Sequence, residues 1–138
     1  MDSTDAVGTL ARGERVADPL ARVGIGLVIL LAGIHKLLAP EAWAVYVVSP
    51  FDRLLPMTPV EFMLLNGVLE PPFALALLAD RYTVFAAGFV TLSLVATVAY
   101  LSVAALLAGG AFVDVIVRDV GLAALAASVT IRAAARSD

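Results

Sequence analysis

The amino-acid sequence predicts an all-α polytopic membrane protein, a bundle of four transmembrane helices with an interfacial segment between the first and the second. Three observations predict it. Hydrophobic residues make up 62% of the 138 and charged residues 15%, where a soluble domain carries about 45–50% and 25%. Mean hydropathy is +0.99, and a water-soluble core cannot absorb that excess. The apolar residues fall into four long runs, broken by proline, glycine or charge. The basic residues between the runs are unequal: Arg12, Arg15, Arg81, Arg132 and Arg136 fall to one side, Lys36 and Arg53 to the other. Basic residues favour the cytoplasmic side, so both termini are expected inside. Eight arginines against one lysine and Ala/Val-rich spans fit a GC-rich or halophilic prokaryote, hence a cell membrane.

Composition also excludes chemistry. There is no cysteine and one histidine, so thiol chemistry and Cys- or His-based metal sites are not expected. A net charge of -3 leaves no nucleic-acid footprint.

Residues 1–18, with Asp2, Asp5, Arg12, Glu14, Arg15 and Asp18, read as a polar tail, and 19–134 as the membrane domain. A cleaved leader, leaving three spans, is the competing reading, because Ala42-Trp43-Ala44 resembles a cleavage site. His35 and Lys36 inside the apolar run oppose it. Span one covers about 20–39. Asp18 is the expected N-cap, Pro19 the first turn and Pro40 the stop. Twenty residues rise roughly 30 Å, one hydrocarbon core. Gly24, Gly26 and Gly33 offer faces for close helix approach. Arg22 and Lys36 read either as snorkelling residues or as partners of buried acids.

Residues 40–57 are too apolar for a free loop and too broken for a span, so an interfacial or re-entrant segment is expected. Trp43, Tyr46 and Phe51 within it form either an interfacial belt or a stacking wall for a flat headgroup. Span two, about 58–78, opens on the capping box Thr58-Pro59-Val60-Glu61, which suffices to explain Glu61. Asn66 and Glu70 lie deeper, and Pro71-Pro72 should kink the helix by removing two amides. Span three, about 82–107, is uncharged, and its Thr and Ser residues read as packing contacts. Gly109-Gly110 ends it, and span four covers about 112–131.

Span four carries Asp114, Arg118 and Asp119. A charge at the centre of a span costs about 2.5–3.5 kcal/mol on insertion scales, so these groups need partners. Helical rise brings His35, Lys36, Asp114, Arg118 and Asp119 into one layer and sets Glu70 nearer the midplane. Asp114 and Arg118 are spaced i, i+4 and are expected to pair. Asp119 is expected to find Lys36 or His35, and Glu70 to find Arg118 or Arg22. The cluster either fixes helix register or receives a headgroup, a proton or an anion.

With the spans in hand, the chain resembles the DoxX/DoxD-like family of small four-helix membrane proteins. Arg22, Gly26, Gly33, Lys36 and Pro40 carry the likeness in span one, Glu61, Gly67 and Glu70 in span two, and Arg118-Asp119-Val-Gly-Leu in span four. The resemblance covers about residues 20–131. It implies a membrane subunit linked to a quinone-dependent or other redox complex, since the family includes the small subunit of thiosulfate:quinone oxidoreductase. No redox centre is readable in the chain, so a quinone or an oxidoreductase partner would have to supply it. Two other classes remain open: a small transporter or proton conductor using Glu70 and Arg118, and a structural or assembly subunit without ligand.

Overall fold

The computed structural model describes residues 2–137, and among these the chain is helical, without a strand. Helix α1 spans Ser3–Leu38 and the short α2 spans Glu41–Ala44. A 3-10 turn, Phe51–Arg53, follows. Three long helices complete the fold: α3 Pro59–Leu78, α4 Thr83–Leu107 and α5 Val113–Ser137. Helix α1 lies mainly on α3 and α4 mainly on α5; lighter contacts join α3 to α4 and α1 to α5.

Three of the expected spans fall in helices long and apolar enough to cross a membrane: Arg15–Leu38 within α1, and all of α3 and α4. Helix α5 is long enough, but by composition it does not join them.

The helix start expected at Asp18–Pro19 lies instead at Asp2, whose carboxylate accepts the Ser3 amide at 2.8 Å. Pro19 sits inside α1. Its missing amide removes one bond of the ladder, but Asp18 beside it is held by Arg132 and Arg136 of α5. That tertiary contact keeps the turn helical. Pro40 does stop the helix: Ala39 closes α1 through its amide to the His35 carbonyl.

The capping box forms as read. Thr58 accepts from the Glu61 amide, and Glu61 accepts from the Thr58 amide. Helix α3 runs through Pro71 and Pro72 without interruption. Gly33 and Gly67 set the distance between α1 and α3. A Cβ on Gly67 would meet the Leu37 side chain at 2.9 Å and the Gly33 carbonyl at 3.0 Å. A Cβ on Gly26 would touch Leu77 and Leu78, whereas Gly24, also expected at a helix contact, has nothing within 4 Å.

The closed core occupies one half of the molecule. Ile25, Ile29, Ala74, Leu77, Ala86, Ala87, Val90, Ala126 and Val129 form one buried cluster from all four long helices. Its outer end is tied electrostatically. Arg22 donates to the carbonyls of Leu77 and Leu78 at the end of α3 and lies 3.4 Å from Asp80. Arg136 lies 3.9 Å from Asp80, and Arg132 pairs with Asp18. The termini half of α1, the α3–α4 turn and the end of α5 are thereby joined.

Candidate functional site

The other half holds a cavity of about 840 Å³, bounded by α1, α3, α4 and α5 and by the connector between α1 and α3. Phe73 and Phe89 stack at 3.8 Å, nearly parallel, between the cavity and the core. Across the connector end, Tyr100 of α4 donates to the Tyr46 carbonyl at 2.8 Å and accepts the Val48 amide at 3.0 Å. Phe51 packs edge-on against Tyr100, and Tyr46 against Phe112. The connector is therefore pinned to α4 as well as to α3, and the space it covers is walled by aliphatic side chains together with the rings of Trp43, Tyr46, Phe51 and Tyr100.

Lys36 and Glu70 form the principal polar contact. Lys36 Nζ donates to Glu70 Oε1 at 2.5 Å, and the two side chains are only 11% and 17% exposed. The ammonium also sits 4.5 Å from the centre of the Trp43 ring, where the ring face attracts a cation. Trp43 in turn donates its indole N–H to His35 Nδ1 at 2.8 Å. Glu70 Oε2 is buried and has no partner among the described residues. Asn66, one turn earlier on α3, donates Nδ2 to the Phe62 carbonyl at 2.8 Å, which leaves its own Oδ1 free to accept.

A second ion pair lies on α5. Arg118 Nε donates to Asp119 Oδ1 at 2.9 Å; Asp119 is buried, while the Arg118 side chain is 54% exposed.

Several expected pairings are corrected. Glu70 pairs with Lys36, not with Arg118 or Arg22; Arg22 is spent on the end of α3. Asp119 pairs with its neighbour Arg118 rather than with Lys36 or His35, and Asp114 forms no ion pair with Arg118 among the described residues. The layer of charges divides accordingly. Lys36, Asn66, Glu70, Arg118 and Asp119 line the cavity together with Trp43, Tyr46 and Phe51. His35, Arg22, Glu61 and Asp114 do not line it. Sequence reasoning missed Tyr100 and the Phe73–Phe89 stack. Tyr100, the one tyrosine within α4, was the available signal: a hydroxyl inside an apolar helix has to find a partner.

A family model described as DoxX matches residues 17–105, well over half of the chain. The chain belongs to the DoxX family. The match takes in α3, nearly all of α4 and most of α1, and ends before α5, so Arg118 and Asp119 lie beyond it. No curated protein matches this DoxX chain, and no solved structure does. With three helices of spanning length and composition, it is a membrane protein of the DoxX family.

Proposed function

We propose that this DoxX protein is a four-span subunit of a prokaryotic cell membrane that houses a flat, apolar redox lipid of the quinone class for an oxidoreductase partner. The observation that carries the reading is the cavity. Its volume, about 840 Å³, falls in the range of roughly 300–1,000 Å³ usual for small-molecule sites. Its walls are mostly aromatic and aliphatic, and its few polar groups converge from four helices. A ring system suits such walls. The paired charges suit the polar oxygens of a headgroup without leaving a naked charge beside lipid.

Exposed apolar side chains such as Phe85, Leu92 and Leu106 support a lipid environment around α4. Helix α5 serves as the fourth span in this reading. Its 25 residues rise roughly 37 Å, it lies along α4, and the Asp119 carboxylate is paired. Arg132 and Arg136 then fall beside the α1 N-terminal half and Arg81 on the basic, cytoplasmic side.

The test is extraction of the protein purified from its native membrane, followed by lipid analysis and identification of co-purifying chains. A quinone enriched over bulk lipid and an oxidoreductase partner are expected. Quinone at no more than its bulk-membrane ratio would reject the reading.

The unpartnered Glu70 Oε2 favours one second reading, proton conduction through the cavity. Proton flux in liposomes that Glu70→Gln abolishes would select it.

A further inference from the structure

Lysine occurs once in the chain and arginine eight times. For a buried ion pair arginine is the usual residue, because its planar fork matches a carboxylate and it does not lose its proton. The single lysine stands on the cavity wall, buried beside Glu70. An ion pair alone does not call for lysine there. What lysine adds is an amine that can turn neutral and attack a carbonyl carbon. Lys36 Nζ has the neighbours that such an amine uses. Glu70 Oε1, at 2.5 Å, is placed to take its proton. The carboxyl has a second oxygen without a partner among the described residues, where the transferred proton can rest. The ammonium has three N–H groups, and Glu70 is its one hydrogen-bond partner among the described residues. Trp43 holds its ring face 4.5 Å from Nζ, which favours a cation at that nitrogen.

We propose that Lys36 captures a lipid-borne aldehyde in the cavity, holding it reversibly as a protonated aldimine with Glu70 as counter-ion. The ammonium first passes one proton to Glu70, which leaves a neutral amine beside a neutral carboxyl. The Nζ lone pair then forms a C–N bond to the aldehyde carbon, and a proton moves from nitrogen to the carbonyl oxygen. Glu70 returns its proton to the resulting hydroxyl, the C–O bond breaks, water leaves, and a C=N bond carrying one N–H remains. The charges at the end are those at the start: one cation on the lysine nitrogen and one carboxylate on Glu70. The iminium N–H therefore donates to Glu70 as the ammonium did, and its charge keeps the face of Trp43. The surroundings that stabilise the free lysine stabilise the adduct equally, so the product meets no stranded charge. The walls are mostly apolar, which selects an aldehyde on a hydrocarbon chain, delivered by the bilayer. Aldehyde capture and the redox-lipid reading share the cavity, but capture does not require a quinone.

The test is reductive trapping. The full chain in mild detergent is incubated with hexadecanal and cyanoborohydride, which reduces the iminium to a stable secondary amine, and the adducts are mapped by mass spectrometry. Lys36 is the one side-chain amine, so the α-amine of the same chain is an internal reference. Native protein should be trapped at Lys36 at least about tenfold faster than at the α-amine, since a positioned proton acceptor usually contributes more than that. The same protein unfolded in SDS should show the reverse order, because a free α-amine loses its proton more readily than a free lysine. Both samples are micellar, so a change between them reports the folded site and not the partition of the aldehyde into detergent. Glu70→Gln removes the proton acceptor and the counter-ion and should lower trapping at Lys36 at least about tenfold, with the α-amine unaffected. A ratio no higher in the native protein than in SDS overturns the proposal, whether or not Glu70→Gln folds. Undiminished trapping in a folded Glu70→Gln protein overturns it as well. Neither result bears on the quinone content of the purified protein, which tests the redox-lipid reading separately.

Discussion

Lys36 and Glu70 meet at 2.5 Å across the α1–α3 interface, each side chain largely removed from solvent. Neither group could remain charged in that position alone, since an isolated ion in a low-dielectric interior loses its hydration without compensation. The pair is the electrostatic counterpart of the glycine contact next to it, because Gly33 and Lys36 are one turn apart on α1, as are Gly67 and Glu70 on α3.

Removing either partner should be strongly destabilising. Lys36→Ala or Glu70→Ala is expected to cost about 3–5 kcal/mol, read as thermal unfolding in detergent. The double variant Lys36→Met/Glu70→Leu should recover much of the loss, because it strands no charge. Glu70→Gln should resemble the alanine variant, since it leaves Lys36 without a counter-charge. Unchanged stability in Glu70→Gln would contradict the ion-pair account.

Gly67→Ala should force α1 and α3 apart, because the new Cβ would lie 2.9 Å from Leu37 Cγ and 3.0 Å from the Gly33 carbonyl. Overpacking of this kind costs about 1–3 kcal/mol. Gly24→Ala is the control: with nothing within 4 Å of its Cβ, it should be neutral or stabilising by about 0.5–1 kcal/mol. Equal melting temperatures for the two variants would contradict the close-contact account.

Arg22→Met keeps the aliphatic stem and removes the guanidinium that caps α3 through the Leu77 and Leu78 carbonyls. A loss of about 1.5–3 kcal/mol is expected for hydrogen bonds from a charged donor. Proteolysis at the α3–α4 turn, around Asp80–Tyr82, should accelerate. Wild-type stability and cleavage would show that the carbonyls find other donors.

Single cysteines can be placed freely, because the native chain has none. In intact cells, a cysteine at Ser3 and one at Ser137 should both resist an impermeant thiol reagent, and one at Asp52 in the connector should react. Opposite labelling of Ser3→Cys and Ser137→Cys would remove α5 from the set of spans.

Features set by near neighbours in the chain were the legible ones. The Thr58–Glu61 box is a four-residue motif whose geometry follows from helix termini alone, and Pro40 stops α1 for an equally local reason. The Asp18–Pro19 signal was just as local, yet α5 overrode it from 114 residues away by binding Asp18. The polar partners were misassigned for a geometric reason. Counting rise from flush helix ends puts Lys36 about 3 Å and Glu70 about 18 Å from their respective ends, too far apart to meet. Their contact requires α3 to overshoot α1 by on the order of two turns, and the connector fills that step. The stagger is fixed by Gly33, Gly67, Leu37 and Pro71 together, a relation between two helices that neither sequence segment carries by itself.

The division of the molecule into a packed half and a hollow half has a mechanical consequence. Four helices are riveted together at one end by the Ile25–Val129 cluster and the arginine ties to Asp18 and Asp80. Past the Phe73–Phe89 stack, α3 and α4 are joined mainly through the connector that Tyr100 holds. The protein is thus a two-pronged fork with a stiff stem. A molecule dissolved in the bilayer could slip sideways between the prongs while the stem stays shut, and the connector's contacts with Tyr100 and Phe112 would need to give.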